Sequence, residues 1–202
     1  MAHKQTGGIS QSPIFQGRIG PFLPGQSLLS LDPALLDCGI CGNSCQRLLV
    51  VDGEVIGRAS RRYQVIRCLN CIFWGEYFTY FADNKPTKIQ FQKGENHHFM
   101  EEMVSLTPVR ASLRWTPVDE IQLTTAITFA GLTPRWEQSA TWPNCPICGR
   151  SMAFILQLSS ETLDEGHRQL GDAFYMQIEY GATLYFFFCE SCEVSCSITQ
   201  NN

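Results

Sequence analysis

Cys145-Pro-Ile-Cys-Gly-Arg-Ser-Met152, running on into Ala153-Phe-Ile-Leu-Gln-Leu158, is the stretch that decides how this chain is read. A Cys-x2-Cys turn closed by a glycine launches an apolar run of strand length. The same order of parts stands earlier, where Cys38-Gly-Ile-Cys-Gly-Asn-Ser44 precedes the apolar run Leu48–Val51. Each copy ends on a second pair: Gln64–Arg67 leads into Cys68-Leu-Asn-Cys71, and Tyr185–Phe188 leads into Cys189-Glu-Ser-Cys192. The copies differ mainly in the loop between pairs, 26 residues from Cys41 to Cys68 and 40 from Cys148 to Cys189, with Leu163–Asp172 holding much of the extra length. Repetition of a supersecondary unit says more about a fold than either copy alone.

Thiolates in two Cys-x2-Cys turns are the usual tetrahedral set for zinc. The expected ligands are Cys38, Cys41, Cys68 and Cys71 for one ion and Cys145, Cys148, Cys189 and Cys192 for a second. Gly42 and Gly149 fit knuckles that need a positive φ. Four thiolates leave no coordination position for water, so the metal is expected to be structural, worth on the order of 10 kcal/mol to the folded state. Disulfides and redox-active pairs are the competing readings of the same cysteines. Cys45 and Cys196 are left over, each four residues beyond a ligand; they read as small buried hydrophobes or as substitutes for Cys41 and Cys192.

Working outward, the expected fold class is mainly β, α+β with few helices: two pseudo-repeated antiparallel β units, each carrying a four-cysteine zinc ribbon. Residues 1–30, with Pro13, Pro21 and Pro24, read as a partly ordered arm. Residues 31–92 form the first unit, including the aromatic strand Phe73–Phe81. Residues 93–120 form a helical connector, with Asn96 as cap and Phe99, Met100, Met103 and Val104 on one face. Residues 121–202 form the second unit, opening on a strand-like segment from Ile121 up to Gly131.

Among 202 residues, 44% are hydrophobic and 17% charged, which places the chain in the globular class. The 15 basic and 19 acidic residues give a net charge of -4, so nucleic acid is not the expected partner, although Arg58, Arg61 and Arg62 make a local patch. No apolar run reaches the ~18 residues of a membrane span. The polar start Met1–Gly8 lacks a signal-peptide core, so the expected address is cytoplasmic. His97 and His98 read as an exposed helix start, and His167 as part of a mixed-charge loop. Ser139, Ser159 and Ser160 lack an elbow motif, no phosphate-binding glycine loop is present, and no catalytic residue is expected. Trp136, Trp142 and Tyr175 read as core aromatics or as stacking platforms for single strands.

The segment Phe129-Ala-Gly-Leu-Thr-Pro-Arg-Trp-Glu-Gln138, with Pro143-Asn-Cys-Pro-Ile-Cys-Gly-Arg-Ser-Met-Ala-Phe-Ile-Leu-Gln-Leu158, resembles the YwqG-like family and the related programmed-cell-death-2 family. Gly131, Pro134, Trp136, Gln138, Met152, Phe154, Gln157 and Leu158 match a Gly-Gly-x-Pro-x-Trp motif ahead of a Cys-x2-Cys strand, with Ala130 at the first glycine. The resemblance covers roughly residues 121–200. It implies a β-rich, non-enzymatic protein-binding module: an immunity or antitoxin protein, or a chaperone for a ribosomal protein. A nucleic-acid-binding zinc ribbon is the reading from another class, and the oligomeric state is left open.

Overall fold

The computed structural model of the chain describes residues 14–20, 27–39, 42–58, 60–68, 71–73, 76–91, 97–99, 110–118, 128–131, 133–163, 168 and 181–201. The protein is mainly β, as its alternating and aromatic runs predict. The strands are β1 (Ile14–Gly20), β2 (Ser27–Asp37), β3 (Ser44–Asp52), β4 (Arg62–Arg67), β5 (Cys71–Phe73), β6 (Tyr77–Ala82) and β7 (Lys85–Phe91). They continue as β8 (His97–Phe99), β9 (Arg110–Val118), β10 (Phe129–Ala130), β11 (Ala153–Ser159), β12 (Ala182–Cys189) and β13 (Val194–Asn201). Eleven of them make one antiparallel sheet in the order β4-β3-β2-β9-β1-β10-β11-β12-β13-β6-β7, and β5 pairs with β8 apart from it.

Three segments depart from expectation. The stretch 1–30 contributes β1 and the start of β2, and β1 lies in the middle of the sheet between β9 and β10. Pro13 falls just before β1, and Pro21 and Pro24 fall between β1 and β2, so the prolines delimit strands instead of preventing them. Gly17 lets β1 sit this close: a Cβ there would lie 2.9 Å from the Thr128 side chain and 3.0 Å from that of Trp115. The connector 93–120 is not helical where it is described, because His97–Phe99 and Arg110–Val118 are strands. Leu113 in β9 is fully buried, and pairing with β1 and β2 supplies what local helix pattern does not. The aromatic run after Cys71 is split into β5 and β6. Of the strand predicted from Ile121, β10 is the described part, and residues 121–127 lie outside the described residues.

The two hairpins that follow the Cys-x2-Cys turns have matching registers. In β3 and β4, Gln46 faces Arg67, Arg47 faces Ile66, and the pairing resumes one residue later at Leu49 and Val65. In β11 and β12, Ala153 faces Phe188, Phe154 faces Phe187, and the pairing resumes at Leu156 and Phe186. The hairpins also share a core. Leu49, Val65, Leu113, Leu156, Leu184 and Phe186 belong to one buried cluster that draws on both the 31–92 and 121–202 ranges. Tyr63 meets Phe188 edge to face, ring centroids 5.4 Å apart.

Candidate metal centre

Each Cys-x2-Cys turn is shaped by its own backbone. In the later one, Cys145 N–H donates to the Arg150 carbonyl at 2.8 Å and Gly149 N–H to the Cys145 carbonyl at 2.8 Å. In the earlier one, Cys38 N–H donates to the Asn43 carbonyl at 2.7 Å and Gly42 N–H to the Cys38 carbonyl at 2.9 Å. Gly42 and Gly149 have φ of 72° and 69°, the left-handed region that glycine enters without cost, so both turns reverse where the sequence places glycine.

The later turn and the β12–β13 connection bring four cysteines together. The sulfurs of Cys145, Cys148, Cys189 and Cys192 all lie within 4.8 Å of one another, and Cys148 Sγ is 3.8 Å from Cys189 Sγ. Four sulfurs each bound at about 2.3 Å to a shared tetrahedral ion would sit about 3.8 Å apart, the distance found between Cys148 and Cys189, so this set could hold a metal ion of zinc's size. Cys145 and Cys189 are buried, while Cys148 is exposed and Cys192 partly so. The cluster thus caps the end of the sheet, with its inner sulfurs against Phe154, Phe187 and Val194.

Charge around the cluster is uneven. Arg150, hydrogen-bonded to Cys148, holds that thiol down at about 6. Burial and the neighbouring sulfurs of Cys148 and Cys145 push Cys192 up to about 12, and burial raises Cys145. Crowded thiols cannot all ionise together unless a cation sits among them. Arg150 also donates to Ser191 Oγ inside the second turn, tying the two turns together. The first hairpin reaches the same turn: Arg61 pairs with Glu190 at 2.7 Å and with Glu193, and Tyr63 Oη donates to Glu190 at 2.8 Å.

The earlier quartet is described in part. Cys38 and Cys68 are buried side by side with Cys45, Ile66 and Tyr77. Cys41 lies outside the described residues, as does the side chain of Cys71. Cys45, set aside by the sequence reading, has its thiol pushed up by hydrogen bonding to Cys38 and then Cys68. Cys196 is fully buried beside Phe78 and Phe187, where burial raises its thiol, in keeping with a small hydrophobe. Only contact in space separates these two spares; spacing treats them alike.

The remaining candidates are placed as follows. Arg58 donates to the carbonyls of Gly131 and Phe154, and Arg62 to Asp52, so the three-arginine patch is engaged within the chain. Trp136 stacks on Phe187 with ring planes 17° apart and packs on Tyr185 at 4.7 Å. Its loop is fixed by side chains: Gln157 accepts the Arg135 N–H at 2.9 Å, and Tyr185 Oη accepts the Glu137 N–H at 2.9 Å. Residues 160–163 are helical, with Ser159 Oγ accepting the Glu161 N–H at 3.2 Å. His167 and Tyr175 lie outside the described residues, as do the side chains of His97 and His98. No helix among the described residues is long and apolar enough to cross a membrane.

No protein-family model matches the chain, and no solved structure does either. The chain is similar to the uncharacterized protein YpfL of Salmonella typhimurium, 26% identical over 181 residues, which cover 81% of this chain and 39% of that protein. It therefore spans about two fifths of the relative's length.

Proposed function

We propose that the chain is a zinc-stapled, cytoplasmic protein-binding module, not an enzyme, with one zinc ion at Cys145, Cys148, Cys189 and Cys192 and a second at Cys38, Cys41, Cys68 and Cys71. The observation that carries this is the four-sulfur cluster at the end of the sheet, whose turn leaves Ile147 59% exposed, with Trp142 41% exposed in the segment that leads into it. A closed thiolate shell offers no site for a reacting water, whereas a rigid tip with exposed apolar and aromatic side chains is the composition of an interaction hot spot. The matching hydrogen bonds of the two knuckles support the second ion. An immunity or antitoxin role, neutralising one cognate partner, is the specific form proposed; chaperoning of a ribosomal protein is the alternative within the same class. The engagement of Arg58, Arg61 and Arg62 inside the chain weighs against a nucleic-acid ribbon.

Metal analysis of the purified chain should give two zinc ions, and capture from the native source should recover a near-stoichiometric protein partner. Ile147→Asp combined with Trp142→Ala should abolish that capture while leaving the zinc content unchanged. Recovery of the same partner by the double variant would overturn the proposed surface.

A further inference from the structure

Resting on the metal reading of the later cluster alone, we propose that Arg61, in the loop between β3 and β4, is a positioning residue of that centre. It couples zinc binding at Cys145, Cys148, Cys189 and Cys192 to docking of the first hairpin. The turn that joins β12 to β13 carries Cys189 and Cys192, and each of these cysteines is followed by a glutamate. Arg61 holds both glutamates: one terminal nitrogen donates to Glu190 at 2.7 Å and the other to Glu193. Tyr63 Oη donates to the second carboxylate oxygen of Glu190 at 2.8 Å. The Arg61 guanidinium also lies over the Phe188 ring, 4.5 Å from its centroid. One side chain of the first hairpin thus touches the residues on both sides of Cys189 and the residue after Cys192.

The turn needs such a hold. Glu193 has a φ of 52°, a left-handed conformation that a residue with a Cβ keeps only when its surroundings fix it. Here the carboxylate is fixed by Arg61, and the carbonyl accepts the Phe81 N–H at 2.9 Å. Arg61 is itself placed by its loop, where Gly53 N–H donates to the Arg61 carbonyl at 2.7 Å and Arg58 N–H to the Gly53 carbonyl at 2.8 Å. The same loop reaches the strand that leaves the other knuckle, because Arg58 donates to the Phe154 carbonyl in β11. Two arginines three positions apart therefore span β11 and the β12–β13 turn, the elements between which the four sulfurs lie. Whatever docking of the loop adds to zinc affinity, zinc adds equally to docking. The neighbouring Arg62 supplies the comparison. Its pair with Asp52 is 60% and 52% exposed and reaches neither knuckle, whereas the Arg61 side chain is 16% exposed.

Zinc affinity of the full chain, by competition with a chromophoric chelator, tests this in four variants. They are Arg61→Ala, the pair Glu190→Gln with Glu193→Gln, all three changes combined, and Arg62→Ala. Arg61→Ala and the glutamine pair should each weaken the later centre about fivefold or more, the lower end of the usual coupling between sites, and Arg62→Ala should leave it unchanged. Both changes remove the same contact, so the combined variant should bind no more weakly than the weaker of the two. Amide exchange in the β3–β4 loop of the zinc-loaded protein should quicken in those three variants and not in Arg62→Ala. Wild-type affinity in Arg61→Ala, or losses that add in the combined variant, overturns the proposal, since Arg61 would then act elsewhere. Should Arg61→Ala fail to fold, the glutamine pair carries the test: a weakened centre with quickened loop exchange supports the coupling, and unchanged affinity or unchanged exchange overturns it. A chain that loses no zinc on Cys189→Ala overturns the metal reading itself, and is seen before any change at Arg61.

Discussion

Leu48 and Ile155 are the extra residues of two bulges at the same place in two hairpins, each one step past the point where β3 leaves register with β4 and β11 with β12. Both are fully buried in the cluster shared by the two hairpins. A bulge turns an additional side chain into the core, which is why an apolar residue stands at each. Leu48→Ala and Ile155→Ala should each cost about 2–5 kcal/mol, the range for emptying a packed aliphatic site. Because both empty the same core, the double variant should depart from additivity, which denaturant titration of all four proteins would measure. Costs below about 1 kcal/mol at either site would show that the bulge does not deliver its residue to the core.

Tyr185 fixes the loop that carries Trp136. Its hydroxyl accepts the Glu137 N–H and donates to the Arg135 carbonyl at 2.6 Å, and its ring is fully buried. Burial pushes its ionisation up to about 12, so it remains a donor across the physiological range. Tyr185→Phe should cost about 1–3 kcal/mol by leaving both backbone groups without that partner. Tryptophan fluorescence should shift toward longer wavelength as Trp136 loosens from Phe187; an unchanged spectrum would mean that stacking alone holds the loop.

Spacing and glycine placement made the later cysteine quartet readable before any geometry, because a metal knuckle is a local structure whose signals lie within a few residues. The strands β3, β4, β11 and β12 were readable for the same reason. Three things were not local. Pro13, Pro21 and Pro24 mark the limits of β1 and β2, and only pairing with β9 and β10 shows that the segment between them is a central strand. The run around Phe99 has helical spacing, yet its described part pairs with β5. Cys45 and Cys196 have equal spacing from a ligand, and only the fold puts one against Cys38 and Cys68 and the other against Phe78 and Phe187. The contact of Arg61 and Tyr63 with Glu190 likewise joins residues that no short-range pattern connects.

Arg150 stands between the later turns, donating to Ser191 and holding Cys148 as a thiolate. Its counterpart after the first knuckle is the uncharged Asn43. On the two-ion proposal, Arg150→Ala should weaken zinc binding at the later cluster about 10- to 100-fold, the usual effect of losing an outer-shell partner, with no change at the proposed earlier centre. Competition with a chromophoric chelator would resolve the two affinities, and an equal loss at both centres would refute the assignment.

The ionisation pattern of the later cluster also sets the direction of its pH dependence. Cys148, held at about 6, is already a thiolate at neutral pH, whereas Cys145 is raised and Cys192 stands at about 12. Zinc must therefore displace at least the protons of Cys145 and Cys192, and each displaced proton makes affinity rise about tenfold per pH unit. Affinity should climb at least about a hundredfold per unit above neutrality and fall more steeply below pH about 6, where Cys148 also takes up a proton. Zinc release from the intact chain on acidification, followed with a metal indicator, should show that change of slope. A release curve with a slope of one proton throughout would mean that three of the four sulfurs are ionised before the metal arrives.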